Sequence, residues 1–373
     1  WERSRTPAEA KPWKRQAMVR YLAMSALREA IGIADSALKQ LDELPAEHPY
    51  QAHRLEFLSL RGSAWIGLRG YAAPEVQESF QRARQVCQLL GDGPALFPIL
   101  SGLWGFYFVR GDLAQAEQTA LLLGTPEDPG LQGVTRALLG QTRLFQGRIL
   151  EAANLLEQAQ QAYRPELDDG RTLTFLLTQP AIASGSYRAI ALWMLGQGDD
   201  SIRQASQAVN WARQLNHPHT LAHTLFYDAW LKHSWQQFEP ALAAAQECRA
   251  LAKQQSFALW ETMALALESL IYLKQGQLEA MQTLQEALQA AAQLGTNLGS
   301  SWWLCQLAGL LLASGQHSPA QMLLQQAAGL QEGWMTPIIH LLRGQPEVAR
   351  QLASEQGTHS YLEGWAGGED GRH

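Results

Sequence analysis

The chain has 373 residues, of which 46% are hydrophobic and only 17% are charged, and 29 Lys and Arg against 35 Asp and Glu give a net charge of -6. This balance supplies no general attraction to phosphate backbones or anionic lipid, so we expect neither nucleic acid nor a membrane surface as a partner. The three cysteines are far apart and form no C-x-x-C pair, which argues against a disulfide framework or a zinc knuckle and favours a reducing, cytoplasmic setting.

The first residues, "WERSRTPAEAKPWKRQ", are polar and contain neither a signal-peptide core nor an initiator Met. We therefore interpret the chain as part of a longer protein. The apolar stretch at 99–109 is stopped by Arg110, Gly111 and Asp112, and no apolar run reaches the roughly 18 residues of a membrane span.

Helical hairpins repeat along the chain. Weaker units occupy 15–92, where Gly70 and Pro74 mark one turn and the next helix start. From there a turn residue is followed, mostly five positions later, by a small residue, as in Gly315 and Ala320. These turns lie at 111, 147, 196, 236, 276, 315 and 344, a spacing typical of a helical solenoid.

The prediction is an all-α, right-handed solenoid of about nine antiparallel helix pairs over residues 1–356. The 49-residue interval between the turns at 147 and 196 contains an irregular insertion, 163–187, in which we expect a long loop and a helix broken near Pro180. Residues 357–373 are expected to form a flexible C-terminal tail.

The repeat unit resembles the tetratricopeptide repeat, which has large and small residues at fixed places around a turn glycine. In the stretch 304–327, large residues occupy the expected places at Leu304 and Leu307, and small residues do so at Ala308 and Ala320. The resemblance implies a superhelix of stacked hairpins with a concave groove.

A second resemblance covers roughly residues 15–345. The phrases "GLRGYAAPEVQESFQRARQVCQLLG", "LFPILSGLWGFYFVRGDLAQA", "SYRAIALWMLGQGDDSI" and "LNHPHTLAHTLFYDAWL" resemble the C-terminal repeat region of bacterial AAA/STAND-type signalling ATPases. Those proteins are often fused to class III adenylate or guanylate cyclase domains. The resemblance implies a sensing and interaction arm for an ATPase or cyclase portion.

Motifs for catalysis are missing from the sequence. It contains no Walker-type phosphate loop, no G-x-S-x-G and no H-E-x-x-H, and its paired aspartates lie where acids cap helix starts. His219 and His223 have the four-residue spacing at which two imidazoles can share a metal, but no third ligand follows at a suitable spacing. A groove or surface role is the alternative for this pair, and we expect no enzyme, cofactor or metal.

The tetratricopeptide register places an aromatic set on the concave face. These residues are candidates for partner binding, and packing between neighbouring repeats is the alternative for each of them. The set consists of Phe108, Phe145, Trp193, His223, Trp230, His233 and Trp302.

We therefore expect a non-catalytic arm that binds a protein or peptide segment, or a small effector, and relays its presence to an attached or partner ATPase or cyclase portion. The alternative is a scaffold that assembles with copies of itself and takes no separate ligand. The sequence leaves the oligomeric state open.

Overall fold

The computed structural model describes residues 7–23, 26–44, 48–91, 93, 95–164, 172–174 and 176–367. These residues form nineteen α-helices and two short 3-10 helices, Thr172–Thr174 and Gly333–Met335, and no strand occurs among them. In chain order the α-helices are α1 Pro7–Ala23, α2 Leu27–Asp42, α3 His48–Arg69, α4 Pro74–Leu89, α5 Leu96–Val109, α6 Leu113–Leu121, α7 Pro129–Phe145, α8 Ile149–Ala162, α9 Pro180–Met194, α10 Gly198–Leu215, α11 Pro218–Ser234, α12 Phe238–Gln255, α13 Ala258–Lys274, α14 Ala280–Gln293, α15 Ser300–Ala313, α16 His317–Ala328, α17 Thr336–Leu342, α18 Pro346–Gln356 and α19 His359–Gly367.

The helices α1 to α18 pack as nine consecutive pairs, and α19 follows the last pair. This confirms the expected solenoid of tetratricopeptide-like hairpins. The turn between α15 and α16 illustrates the local cause, because Gly315 adopts a left-handed φ of 77°. The N–H of Gly315 donates to the carbonyl of Leu312, and that of Gln316 donates to Leu311, which is a Schellman ending.

The small residues after the turns let paired helices approach closely. Ala116, Ala152 and Ala320 are completely buried, so a larger side chain at any of them would enter the helix contact. Six of the seven expected turns have glycine at positive φ, and Gln236 adopts the same backbone conformation at φ 59°. An L-residue can occupy this region at a modest energetic cost.

The superhelix contacts itself after five helix pairs. Helix α3 packs against α13, and α9 packs against α19. Between these contacts, the N–H of Asn297 donates to the carbonyl of Val109 at 3.0 Å. A fourth contact requires glycine, since a Cβ on Gly333 would lie 2.2 Å from the carbonyl oxygen of Gln146. The inner faces of early repeats are therefore covered by later repeats.

Two expected segment boundaries differ in the structure. No helix is broken at Pro180, because α9 begins there, with the side chain of Gln179 accepting hydrogen bonds from the first turn. The described part of the irregular segment thus ends at 179 rather than at 187. The expected tail contains α19, which buries Tyr361 and Leu362 against the preceding repeats.

Candidate functional site

An aromatic column runs along the inside of the superhelix. It consists of Phe108, Phe145, Trp334, Trp230 and Trp302, whose successive ring centroids are 5.6, 4.9, 5.9 and 5.2 Å apart. These distances are typical of favourable aromatic pairs. Trp334, which joins the two halves of the column, lies in a 3-10 helix and was missed by the repeat register.

The seven residues assigned to the concave face by register all belong to odd-numbered helices, and six of them are buried. They do not together line one open aromatic groove, because later repeats pack in front of several of them. Trp302 is 1% exposed and Trp230 is 4% exposed. Phe108, Phe145, His223 and Trp230 pack between repeats, whereas His233 and Trp302, although buried, border the open cleft described below. Trp193 is half-buried, and its ring lies 4.7 Å from that of Tyr361.

The open part of the inner surface is a cleft of about 1,070 Å³ at one end of the column, which we call the inner cleft. It lies among the C-terminal ends of α9, α11 and α13, the helix α15, and the last helices of the chain. Its apolar lining includes Trp193, Phe238 and Trp365. Three of the sequence candidates, Trp193, His233 and Trp302, contribute to this surface.

Positive charge dominates the inner cleft. Lys274 and Arg343 line it, and no Asp or Glu does so among the described residues. Arg343 donates to the carbonyl oxygen of Leu324 at 3.0 Å, but neither cation forms an ion pair within the part of the chain that the structure describes. The Lys274 side chain is accessible from the cleft, yet the surrounding protein desolvates its ammonium enough to lower its pKa.

Several buried polar atoms beside the cleft also lack partners. Both ring nitrogens of His233 and the indole nitrogens of Trp235 and Trp302 have no hydrogen-bond partner in the described structure. Burial, helped by the charge of Lys274, lowers the pKa of His233 to about 3. The imidazole is therefore neutral at pH 7 and offers one donor and one acceptor. Unsatisfied groups of this kind indicate a site where a polar partner can be accommodated.

The histidine pair considered as a metal site has other contacts. The indole N–H of Trp260 donates to Nε2 of His219 at 3.1 Å, and Thr178 lies 3.0 Å from Nδ1 of the same ring. An indole only donates, so Nε2 of His219 must be an acceptor that is already occupied. Within the described ranges, no group of three or more His, Cys, Asp or Glu side chains could hold a metal ion.

Cys87, Cys248 and Cys305 are buried, and burial raises the pKa of the Cys248 and Cys305 thiols, which makes those two poor nucleophiles. In the described part of the chain, no helix is both long enough and apolar enough to cross a membrane.

Comparison with known proteins finds solved structures of similar fold. No family model and no curated protein matches the chain. A solved Rap protein complexed with competence and sporulation factor is similar over 93% of this chain and 99% of its own, with 13% sequence identity and a TM-score of 0.60. The shared feature is the fold.

Two further solved structures align over most of the chain at lower TM-scores. Aspartyl phosphate phosphatase F from Bacillus subtilis is 14% identical over 96% of this chain and 93% of its own, with a TM-score of 0.44. The apo form of RapI is 11% identical over 92% of this chain and 96% of its own, with a TM-score of 0.45.

Proposed function

We propose that this protein is a non-catalytic interaction protein, and that its inner cleft binds a protein or peptide segment carrying a carboxylate next to large apolar side chains. The observation that carries the proposal is the pair of cations, Lys274 and Arg343, that face an open cleft without a carboxylate to pair with them. An anionic group on the partner supplies the missing charge, and the neighbouring aromatic rings supply apolar contact area.

The dimensions of the cleft favour a peptide segment over a small ion. A volume of about 1,070 Å³ lies at the upper end of the range for small-molecule pockets, roughly 1,000 Å³, and leaves room for a short peptide segment. The lining mixes apolar rings with amide and hydroxyl groups, including Gln306, Gln321 and Ser360, which can bond to a peptide backbone. A Rap protein of similar fold is complexed with competence and sporulation factor, but at 13% identity that likeness extends to the fold alone.

The position of the cleft supports a relay role. Tyr361 and Trp365 of α19 line it together with Trp193 of α9, so one bound segment would bridge helices separated by five repeat pairs. Such a ligand stabilises the closed superhelix relative to an open one, which is how binding shifts a conformational population. In this proposal the arm acts in the cytoplasm on an ATPase or cyclase portion, attached or separate. The support for that step is the resemblance of the four repeat phrases.

A hexapeptide selection tests the binding proposal. The full chain is incubated with a random hexapeptide library, and captured peptides are sequenced for the wild type, for Lys274→Gln and for the surface control Lys253→Gln on α12. We expect the wild type and the control to enrich Asp, Glu or a terminal carboxylate beside aromatic or aliphatic residues. Lys274→Gln should reduce that acidic enrichment about tenfold, since a charged hydrogen bond contributes about 1.5 kcal/mol.

Two results would argue against binding of a peptide in the inner cleft. Capture of no peptide, or enrichment that is the same in all three proteins, contradicts the cleft as the binding site. Light scattering over a range of protein concentrations distinguishes the self-assembling scaffold, because only that alternative predicts a mass that rises with the protein's own concentration.

A further inference from the structure

A second internal space, separate from the inner cleft, lies at the other end of the aromatic column. This inner cavity has a volume of about 100 Å³ and is surrounded by α3, α5, α7, α9, α11 and α13. Most of its wall is aromatic or aliphatic, including Tyr71, Trp104, Phe226 and Trp260. This volume is smaller than the roughly 150 Å³ of an apolar cavity that takes up benzene, so the space limits a ligand to a single ring at most.

The segment 176–179 covers one side of the inner cavity. The N–H of Leu177 donates to the hydroxyl of Tyr71 at 3.1 Å, and the N–H of Gln179 donates to the hydroxyl of Thr220 at 3.1 Å. Leu176 and Thr178, which alternate with these anchored residues, line the cavity. The segment that interrupts the repeat pattern thus acts as a wall for an internal space.

Three polar side chains line this otherwise apolar space and have donors or acceptors without a hydrogen-bond partner in the described structure. The hydroxyls of Tyr187 and Tyr227 lie 3.0 Å apart, and only one of their two hydrogens can lie between them. The second O–H has no acceptor among the described residues. The amide of Gln141, which is 5% exposed, likewise has no described partner.

His223 completes the polar set. It is 4% exposed, its ring lies 4.8 Å from that of Tyr227, and its Nε2 is buried without a hydrogen-bond partner. Burial lowers the pKa of this imidazole to about 3, so it is neutral at pH 7. Among the described residues, no Asp, Glu, Lys or Arg lines the cavity, so none of them compensates a ligand charge there.

We propose that the inner cavity is a binding site for a small, uncharged molecule with a single aromatic ring and a hydroxyl group, of the phenol class. The ring contacts the aromatic wall, and the hydroxyl both donates to and accepts from the His223, Tyr187 and Tyr227 cluster. Water can satisfy the polar atoms, but it leaves the surrounding apolar surface without the close contacts that a ring provides. This site is independent of the inner cleft and of the proposed peptide partner.

Three probes of similar size test the inference: phenol, toluene and benzoate. Each is titrated into the full chain at pH 7 and followed by saturation-transfer NMR and by the thermal midpoint. We expect phenol to bind and raise the midpoint, toluene to bind about fivefold more weakly because it lacks the hydroxyl, and benzoate to bind at least tenfold more weakly because its charge is uncompensated.

Variants of the cavity and matched controls test whether phenol binds in the inner cavity. Tyr227→Phe should weaken phenol about fivefold and leave toluene unchanged, whereas Tyr272→Phe, on the same kind of helix but outside the cavity, should change neither. Ala183→Leu, which adds volume to the cavity wall, should exclude both aromatic probes. The Lys274→Gln protein should bind phenol like the wild type.

The inference is overturned if phenol produces no saturation transfer at millimolar concentration, if benzoate binds as well as phenol, or if Tyr227→Phe leaves phenol affinity intact. Far-ultraviolet circular dichroism of each variant checks its helical content. A variant that loses helicity is replaced by Met263→Phe, which also narrows the cavity and should exclude the probes.

Discussion

One of the contacts that close the superhelix has no room for a side chain at Gly333, and the effect of adding a methyl group there can be estimated. In Gly333→Ala, the new Cβ would lie 2.2 Å from the carbonyl oxygen of Gln146 and 2.8 Å from its carbonyl carbon. Both are backbone atoms, so no side-chain rotation relieves the overlap. The loop carrying Gly333 must move outward by about 1 Å to restore ordinary van der Waals distance.

That displacement separates Trp334 from the rings it joins. Overpacking of a buried contact costs about 1–3 kcal/mol, and the upper end applies where backbone must move. Weakening of the Trp334 pairs with Phe145 and Trp230 adds about 0.5–1.5 kcal/mol for each pair that is lost. We expect the free energy of unfolding to fall by about 4–6 kcal/mol if both pairs are lost.

The assay is urea denaturation followed by near-ultraviolet circular dichroism, together with the radius of gyration from X-ray scattering. The control is Gly32→Ala in α2, where a Cβ has no neighbour within 4 Å and the substitution should stabilise by about 0.5–1 kcal/mol. A Gly333→Ala protein with unchanged stability and unchanged radius of gyration would refute the closed superhelix.

Three further predictions concern stability. Ala320→Leu should overpack the α15–α16 contact and cost about 1–3 kcal/mol, as measured by the denaturation midpoint; no change would mean that the contact is loose. Burial holds the pKa of His223 and His233 at about 3 in the folded protein, whereas in the unfolded chain these histidines bind protons below about pH 6.5. Acid therefore favours the unfolded state. The free energy of unfolding should be at its full value above about pH 6.5 and should fall by about 2 kcal/mol per histidine at pH 5. A His223→Gln, His233→Gln double variant should lose most of that acid sensitivity. If its free energy of unfolding falls with pH as steeply as that of the wild type, these two histidines are not the cause. Glu332→Gln should cost about 1–3 kcal/mol in urea denaturation, because the Glu332 carboxylate accepts from the N–H groups of Gly299 and Ser301, whereas the exposed control Glu355→Gln should be neutral.

The sequence predicted those features that are local. Gly315, followed by Ala320 five positions later, specifies a turn and a close helix contact within one hairpin, and both are present. The same reasoning found the unusual turn at Gln236 from spacing alone. Each of these depends on residues within one repeat, where periodicity carries the information.

Closure could not be predicted in this way. Gly147 and Gly333 meet across 186 positions of sequence, and the contact depends on the accumulated twist of five repeats. The register therefore assigned Phe145 and Trp230 to the concave side without indicating that Trp334 would pack on them. For the same reason the inner cleft, lined by α9 and α19 together, had no sequence signal beyond its individual residues.

A double-mutant cycle between the inner cleft and a captured peptide directly measures whether Lys274 contacts the carboxylate of the peptide. Calorimetry gives the affinities of wild type and Lys274→Gln for the most enriched acidic hexapeptide and for the same peptide with its Asp or Glu replaced by Asn or Gln. If Lys274 contacts the carboxylate, the two changes should be non-additive by about 1 kcal/mol or more. Effects that add to within about 0.5 kcal/mol would show that the carboxylate binds elsewhere and would contradict the proposed function of the cleft.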